Sequence, residues 1–440
     1  MSKSATAASR EYKEKSKNLS HIYMLSDTDS DSSTGSETDP EDSDSEPVSE
    51  IEPTKQTETA DTALENIENG EAPHSDVSKV AFRSTAHTQP KTEGDLYIHS
   101  VLECESEVMT CQFNNEGTLL AVGLSNGTIK LYSMDNGNFV QTLRDSGSIL
   151  SSLPVTALRF TLSSWSHCLL LATYASGYVR CWYVWGGECV WVVREVGQSR
   201  GGERGGGHRQ TLSMSISPSG EKAATAGSDS AIHLYDLSTH QRLMTCRASS
   251  TRTVMDGHCF RVFAVTFHPE KEREFISGGW DNTIQFWDTR QQHSVRMLAG
   301  PHVCGDSLQI DPAANHILSG SWRKDNPLEI WDYGSGHKVT DVPHDSQGDS
   351  KIYTCHWLDQ DHIVAAGSQL NMLRVINRWT MMTESRLLGL SSAVFSSSPS
   401  PAGKWRGLIA ATSGTTVYLL QRGTCNIPKR REPEKKPCNN

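Results

Sequence analysis

The chain has 440 residues, 36% of them hydrophobic, with a formal net charge of −11. Its mean hydropathy of −0.48 is too low for a chain that folds throughout, so part of it builds no core. No stretch approaches the ~18 apolar residues of a membrane span, and the N-terminus lacks the apolar run of a secretory signal.

The charge is unevenly placed. Residues 1–94 hold 20 Asp and Glu against 9 Lys and Arg, whereas residues 95–440 hold 32 of each. The neutral remainder gives no general attraction for nucleic acid or an anionic membrane, and neither is expected as a partner. Residues 26–50 are almost wholly Ser, Thr, Asp, Glu and Pro. Such a segment cannot bury enough apolar surface to offset its ordering entropy. Residues 1–94 are therefore predicted to be a disordered acidic tail, with the folded boundary just before Leu96. Within it, Ile22, Tyr23, Met24 and Leu25 precede the acidic run SDTDSD. An aliphatic core with an acidic flank over residues 22–31 resembles a SUMO-interacting motif, in which an extended peptide adds a strand to its partner's sheet. The plainer alternative is an accidental apolar patch. Ser26, Thr28, Ser30 and the run Ser43-Asp44-Ser45-Glu46 suit an acidophilic kinase, or simply solubilise.

After the tail a repeat begins. Aligned segments place Tyr132, Trp182, Tyr235, Trp287, Trp331, Ile376 and Leu420 in equivalent positions, at steps of 50, 53, 52, 44, 45 and 44 residues. Each step accommodates one four-stranded antiparallel sheet, whose apolar faces must be covered by stacking on its neighbours. The clearest unit reads as strand a at Val262–Phe267, strand b at Glu274–Gly278, a tight turn at Asp281-Asn282, strand c at Thr283–Trp287 and strand d at Ser294–Leu298. Residues 199–207, SRGGERGGG, link the second and third units. Glu203 interrupts their two Arg-Gly-Gly units and no aromatic is interleaved, so a flexible connection is favoured over RNA binding.

Gly257-His258 and the Trp-Asp pairs at 287–288 and 331–332 resemble the WD-repeat family over residues 95–421. The resemblance implies an all-β fold, a seven-bladed WD-repeat β-propeller, with Leu96–Leu102 closing the seventh blade against Val417–Leu420. It also implies a buried network, carried in blade four by His258, Ser277, Asp281 and Trp287. Blade five keeps His302, Ser319 and Trp331, and blade three a partial set of His208, Thr225, Asp229 and Tyr235. Blades one, two, six and seven lack a complete set and must rest on apolar packing.

Three features point to function. Trp280 and Trp322 follow strand b in adjacent blades, with Arg323 and Lys324 lengthening the second turn. Turn tryptophans are not needed for packing, so they are expected to meet as interface anchors, the alternative being gap filling between blades. Phe275 to Arg290, ending Trp287-Asp288-x-Arg290, resembles the box by which some WD-repeat proteins dock on the adaptor of a cullin–RING ubiquitin ligase. Residues 422–440 are predicted to be a disordered basic tail, with Pro428-Lys429-Arg430-Arg431 as an import signal or a solvated end.

No metal-ligand spacing or phosphate loop is present in the sequence. The 11 Cys are scattered without a Cys-x-x-Cys pair and read as reduced thiols, with no metal site. The expectation is a non-enzymatic, intracellular protein-binding scaffold without cofactor, with a preference for the nucleus. The alternative is a substrate receptor of a cullin–RING ligase.

Overall fold

The computed structural model describes residues 89–144, 153–162, 168–197, 207–251 and 254–423. The chain divides into two units, Met1–Ala86 and His87–Asn440, and all the described residues belong to the second. Their regular structure is strand, apart from the short 3-10 turn Gly403–Trp405.

Alternation of apolar and polar residues in short runs builds antiparallel sheets that bury one another's faces. Seven such sheets follow in order. Blade four shows the pattern: strand a at Val262–Phe267, b at Glu274–Gly279, c at Thr283–Asp288 and d at Arg296–Ala299. Strand d thus begins two residues later than the sequence implied. The residues before Arg296 instead form bonds to neighbouring segments, Ser294 donating its N–H to the Asp256 carbonyl at 2.8 Å. All seven equivalent strand-c positions, Tyr132 to Leu420, are buried. Around Trp287 they meet Phe275 and Phe267 of the same blade and Ala224, Ile232 and Cys246 of blade three.

The ring closes between the two ends of the described chain. Strand Leu96–Glu103 pairs antiparallel with Thr416–Arg422, setting Ile98 opposite Leu420 and Leu102 opposite Val417. It supplies strand d of blade seven, whose other strands are Ser397–Pro399 and Ile409–Ser413. Closure leaves the seventh blade without an unpaired c strand. The expected boundary before Leu96 falls inside regular structure, because Lys91–Glu93 already pairs with strand d of blade six, Thr383–Leu388. The polar sequence Lys-Thr-Glu gives no apolar signal for that strand. Between the two strands Gly94 has φ +79°, and a Cβ there would lie 2.3 Å from the Glu384 carbonyl oxygen. Only glycine fits that approach.

Candidate protein-interaction face

Strand order puts the b–c turns and d–a loops on one face of the ring. The polar groups that support this face come first. In blade four His258 sits in the d–a loop, and its Nδ1 lies 2.8 Å from Asp281 Oδ2. Its Nε2 lies 2.7 Å from Ser277 Oγ, which also accepts the Trp287 indole N–H at 2.7 Å. Asp281 further accepts the Cys259 N–H at 2.9 Å and the Thr283 hydroxyl at 2.8 Å. Burial alone would raise the Asp281 carboxyl, but these bonds, His258 first, hold it below the usual range. The structure therefore brings the four blade-four residues into one series.

Blade five differs from the expectation. The Trp331 indole donates to Ser319 Oγ at 3.0 Å, but His302 takes no part. Its Nδ1 instead lies 2.7 Å from Asn282 Oδ1, and its ring stacks on Trp280 at 6.1 Å and 15°. Asn282 adopts φ 57° in the tight turn after Asp281, which aims its amide at blade five. The lengthened turn of blade five provides no carboxylate at the Asp281 position to hold the imidazole.

Blade three is rebuilt around a residue the sequence reading missed. Glu195, just after strand d of blade two (Glu188–Arg194), is buried together with Arg209. Its Oε2 accepts Arg209 Nε at 2.9 Å and Thr211 Oγ1 at 2.5 Å. Its Oε1 accepts Thr225 Oγ1 at 2.5 Å and Tyr235 OH at 2.7 Å, with His233 Nδ1 at 3.1 Å. Arg209 also pairs with Asp229. Burial pushes the Glu195 carboxyl up, yet Arg209 and the hydrogen bonds win and hold it well below its ordinary value. The side chain of His208 lies outside the description. Glu195 and Arg209 flank the glycine-rich connection, whose ends Val196–Gly197 and Gly207–His208 pair as a short hairpin. Opposite charges at the two ends of that run were the available signal.

Above these networks lie aromatic rings from four blades. Trp280 stacks on Phe263 at 5.3 Å and donates its indole N–H to Cys304 Sγ at 3.3 Å. Trp322 tilts against Tyr353 at 6.4 Å, and Tyr353 meets Phe395 at 5.2 Å. Both tryptophans are half-buried, and the Trp322 indole nitrogen has no acceptor among the described residues. The two indoles do not pair with each other, contrary to the expectation. His302 lies between them, its ring stacked on Trp280 while its backbone carbonyl accepts the Trp322 backbone N–H at 2.8 Å. Arg323 is also less free than expected. It donates to the Gly300 carbonyl at 2.6 Å and pairs with the buried Glu329 at 2.8 Å, because the longer turn folds back over strand c. Lys324 stays exposed.

The comparisons with known proteins agree with this architecture. A model described as WD domain, G-beta repeat, matches residues 249–288, and one described as anaphase-promoting complex subunit 4 WD40 domain matches residues 97–163. WD repeat-containing protein slp1 of Schizosaccharomyces pombe is 22% identical over 277 residues, 62% of this chain and 50% of that protein. Cell division cycle 20.5, cofactor of APC complex, of Arabidopsis thaliana is 24% identical over 276 residues, 61% of this chain and 55% of that protein. The matches thus span about half the length of these curated relatives. A chain from a crystal structure of the mitotic checkpoint complex shares the fold, with a TM-score of 0.60 at 15% identity over 82% of this chain and 98% of that one.

The chain carries WD-repeat sequence and folds as a seven-bladed propeller.

In this WD-repeat chain Arg290 lies past the end of strand c, on the face opposite the b–c turns. Its Nε donates to Asp288 Oδ1 at 2.9 Å, and Nη2 pairs with Oδ2 of the same carboxylate. The guanidinium is thus clamped by its own repeat, while 63% of the side chain stays exposed. On the same lower face Trp379 is 71% exposed and donates its indole N–H to Asp361 at 2.8 Å. Ile22, Tyr23, Met24 and Leu25 lie outside the described residues, as do residues 198–206 and 424–440. Two cations on the b–c face also went unread, Arg261 and Lys351. They share a spelling, Arg261-x-Phe263 and Lys351-x-Tyr353, that a comparison of strands a across the repeats exposes.

Proposed function

We propose that this chain is a non-enzymatic protein-interaction scaffold whose partner surface is the b–c face of the propeller over blades four to seven. The observation that carries the reading is the row of aromatic rings from Trp280 to Phe395, in which Trp280, Trp322 and Phe395 are half-buried and Phe263 and Tyr353 are buried behind them. Aromatic side chains held by stacking lose little entropy on binding and make good interface anchors. The names of the relatives, a cofactor of the APC complex and a chain of the mitotic checkpoint complex, describe members of assemblies and support the same role. The test is affinity purification of partners from cells with Trp280→Ala and Trp322→Ala, alongside thermal melting. Each variant is expected to cost ~1 kcal/mol or more of partner affinity while the fold stays intact. Lost stability with unchanged partner recovery makes both indoles packing residues and ends the reading.

Two finer readings go with it. Docking on a cullin-ligase adaptor is supported by the spelling Trp287-Asp288-x-Arg290 and the exposure of Arg290, and requires the partner to share the guanidinium with Asp288. Binding of SUMO is supported by the aliphatic run Ile22 to Leu25 beside acidic residues. The basic run at residues 428–431 favours the nucleus.

A further inference from the structure

The partner surface just proposed leaves its ligand chemistry open, and the charges on it narrow the choice. Arg261, Lys324 and Lys351 stand on the b–c side of blades four, five and six. The Arg261 guanidinium lies 5.6 Å from the Trp280 ring centre, and the Lys351 ammonium 3.7 Å from that of Trp322. Lys324 is exposed at the tip of the long turn. Among the described residues none of the three has a carboxylate at ion-pair distance. The acids near them in the chain or on the same turns are already engaged: Asp281 with His258, Glu329 with Arg323 and Asp349 with His344. Asp325 is exposed beside Lys324 and pairs with none of the three.

A cation seated on an indole face is already partly stripped of water on one side. A carboxylate that closes on its open side gains a charge-assisted bond at reduced desolvation cost. Protonation of His302 is disfavoured first by burial and then by Arg323, with Asp281 opposing and Lys351 adding to the effect. We infer that the b–c face over blades four to six takes an acidic peptide, its carboxylates reaching Arg261, Lys324 and Lys351 and an apolar side chain lying against the Trp280 and Trp322 rings. This rests on the face being the partner surface. The three cations are too few for a long phosphate track, and residues 95–423, with 30 Asp and Glu against 27 Lys and Arg, carry no net positive charge to attract one.

The experiment measures fluorescence anisotropy with the full chain and with the chain lacking residues 1–86. The probe is a labelled short peptide in which a tyrosine–leucine pair is flanked by glutamates, compared with the same peptide flanked by lysines and with a short single-stranded oligonucleotide. The glutamate peptide is expected to bind and the lysine peptide not, with affinity falling as salt rises. Lys351→Met and Lys324→Glu should each weaken binding by about fivefold or more with unchanged melting. Tighter binding by the shortened chain also supports the inference, since residues 26–50 carry the competing chemistry. Equal binding of both peptides, binding of neither by either chain, or preference for the oligonucleotide overturns it. If Trp280→Ala and Trp322→Ala lose a cellular partner that Lys351→Met and Lys324→Glu retain, the face stands and its acidic ligand falls.

Discussion

Replacing Glu195 by Gln is the sharpest test of how blade three is held. The substitution keeps the volume, removes the charge and turns one acceptor oxygen into a donor. Five side chains converge on the two carboxylate oxygens, and both Glu195 and Arg209 are fully buried at the side chain. After the change Arg209 keeps Asp229 and the Ala231 and Thr225 carbonyls, one carboxylate where it had two. Hydrogen bonds to a charged group are worth about 1.5–3 kcal/mol each, but five on one group are not additive. Breaking a buried pair by removing one partner costs about 3–5 kcal/mol, since the remaining charge stays desolvated. That is a large share of the ~5–15 kcal/mol by which a domain is stable. Urea unfolding at neutral pH measures it, and a loss under about 1 kcal/mol would refute the argument. Adding Arg209→Met to Glu195→Gln should restore part of the loss, because the stranded cation is then gone.

The same carboxylate gives a pH signature. Its native pKa lies below its unfolded value, held down by Arg209, His233 and Thr211 against burial. Such a group contributes stability above the ordinary glutamate value of about 4.3 and loses it as pH falls from there. The stability gap between the parent and Glu195→Gln should therefore narrow below about pH 5. A gap that does not change with pH would show that the contribution is packing and not charge.

Three further outcomes are expected. Asp281→Ala leaves His258, the Cys259 N–H and Thr283 without their acceptor, and should cost about 1–3 kcal/mol in unfolding free energy; an unchanged midpoint would mean water takes its place. Arg290→Ala should remove a co-purifying cullin-ligase adaptor without shifting the melting temperature, since the side chain is mostly exposed; failure to recover any adaptor with the parent chain ends that reading. A peptide covering residues 21–37 should shift the NMR spectrum of SUMO, more so with Ser26, Thr28 and Ser30 phosphorylated, and Ile22→Ala with Leu25→Ala should abolish the shift.

The ring was legible because its signals repeat. Each strand c carries the same apolar spelling, and the seven positions from Tyr132 to Leu420 recur at nearly even steps and are all buried. The closing strand was legible for a related reason: Leu96–Leu102 is β-prone and has no partner nearby in sequence. Lys91–Glu93 was not, because a three-residue polar edge strand carries no hydrophobic pattern. The network of blade four could be placed residue by residue, since its members stand at the family's positions. Blade three could not: its central acid comes from the end of the preceding blade, separated from Arg209 by the glycine-rich connection, and such a contact leaves no local period. At the candidate site, Trp280 and Trp322 stood out as tryptophans where a turn needs none. Arg261 and Lys351 did not, because a single cation at the start of a strand is ordinary until the fold sets it on an indole.

The polar networks and the aromatic row coincide in the ring, and that coincidence has a physical basis. A b–c turn projects from the sheet and by itself is free to move. In blade four the turn is tied down from beneath, Asp281 holding His258 and Thr283 while Asn282 reaches His302 of the next blade. Trp280 stands immediately before those two residues, stacked on Phe263. In blade five the turn lacks that carboxylate, and Arg323 fastens it instead through the Gly300 carbonyl and Glu329. Two different sets of bonds thus hold the two tryptophans on fixed turns. Side chains held in place before a partner arrives lose less entropy on binding. Weakening the Asp281 network should therefore lower partner affinity as well as stability, whereas cutting the equally buried Glu195 network, which lies under no aromatic of this row, should lower stability alone.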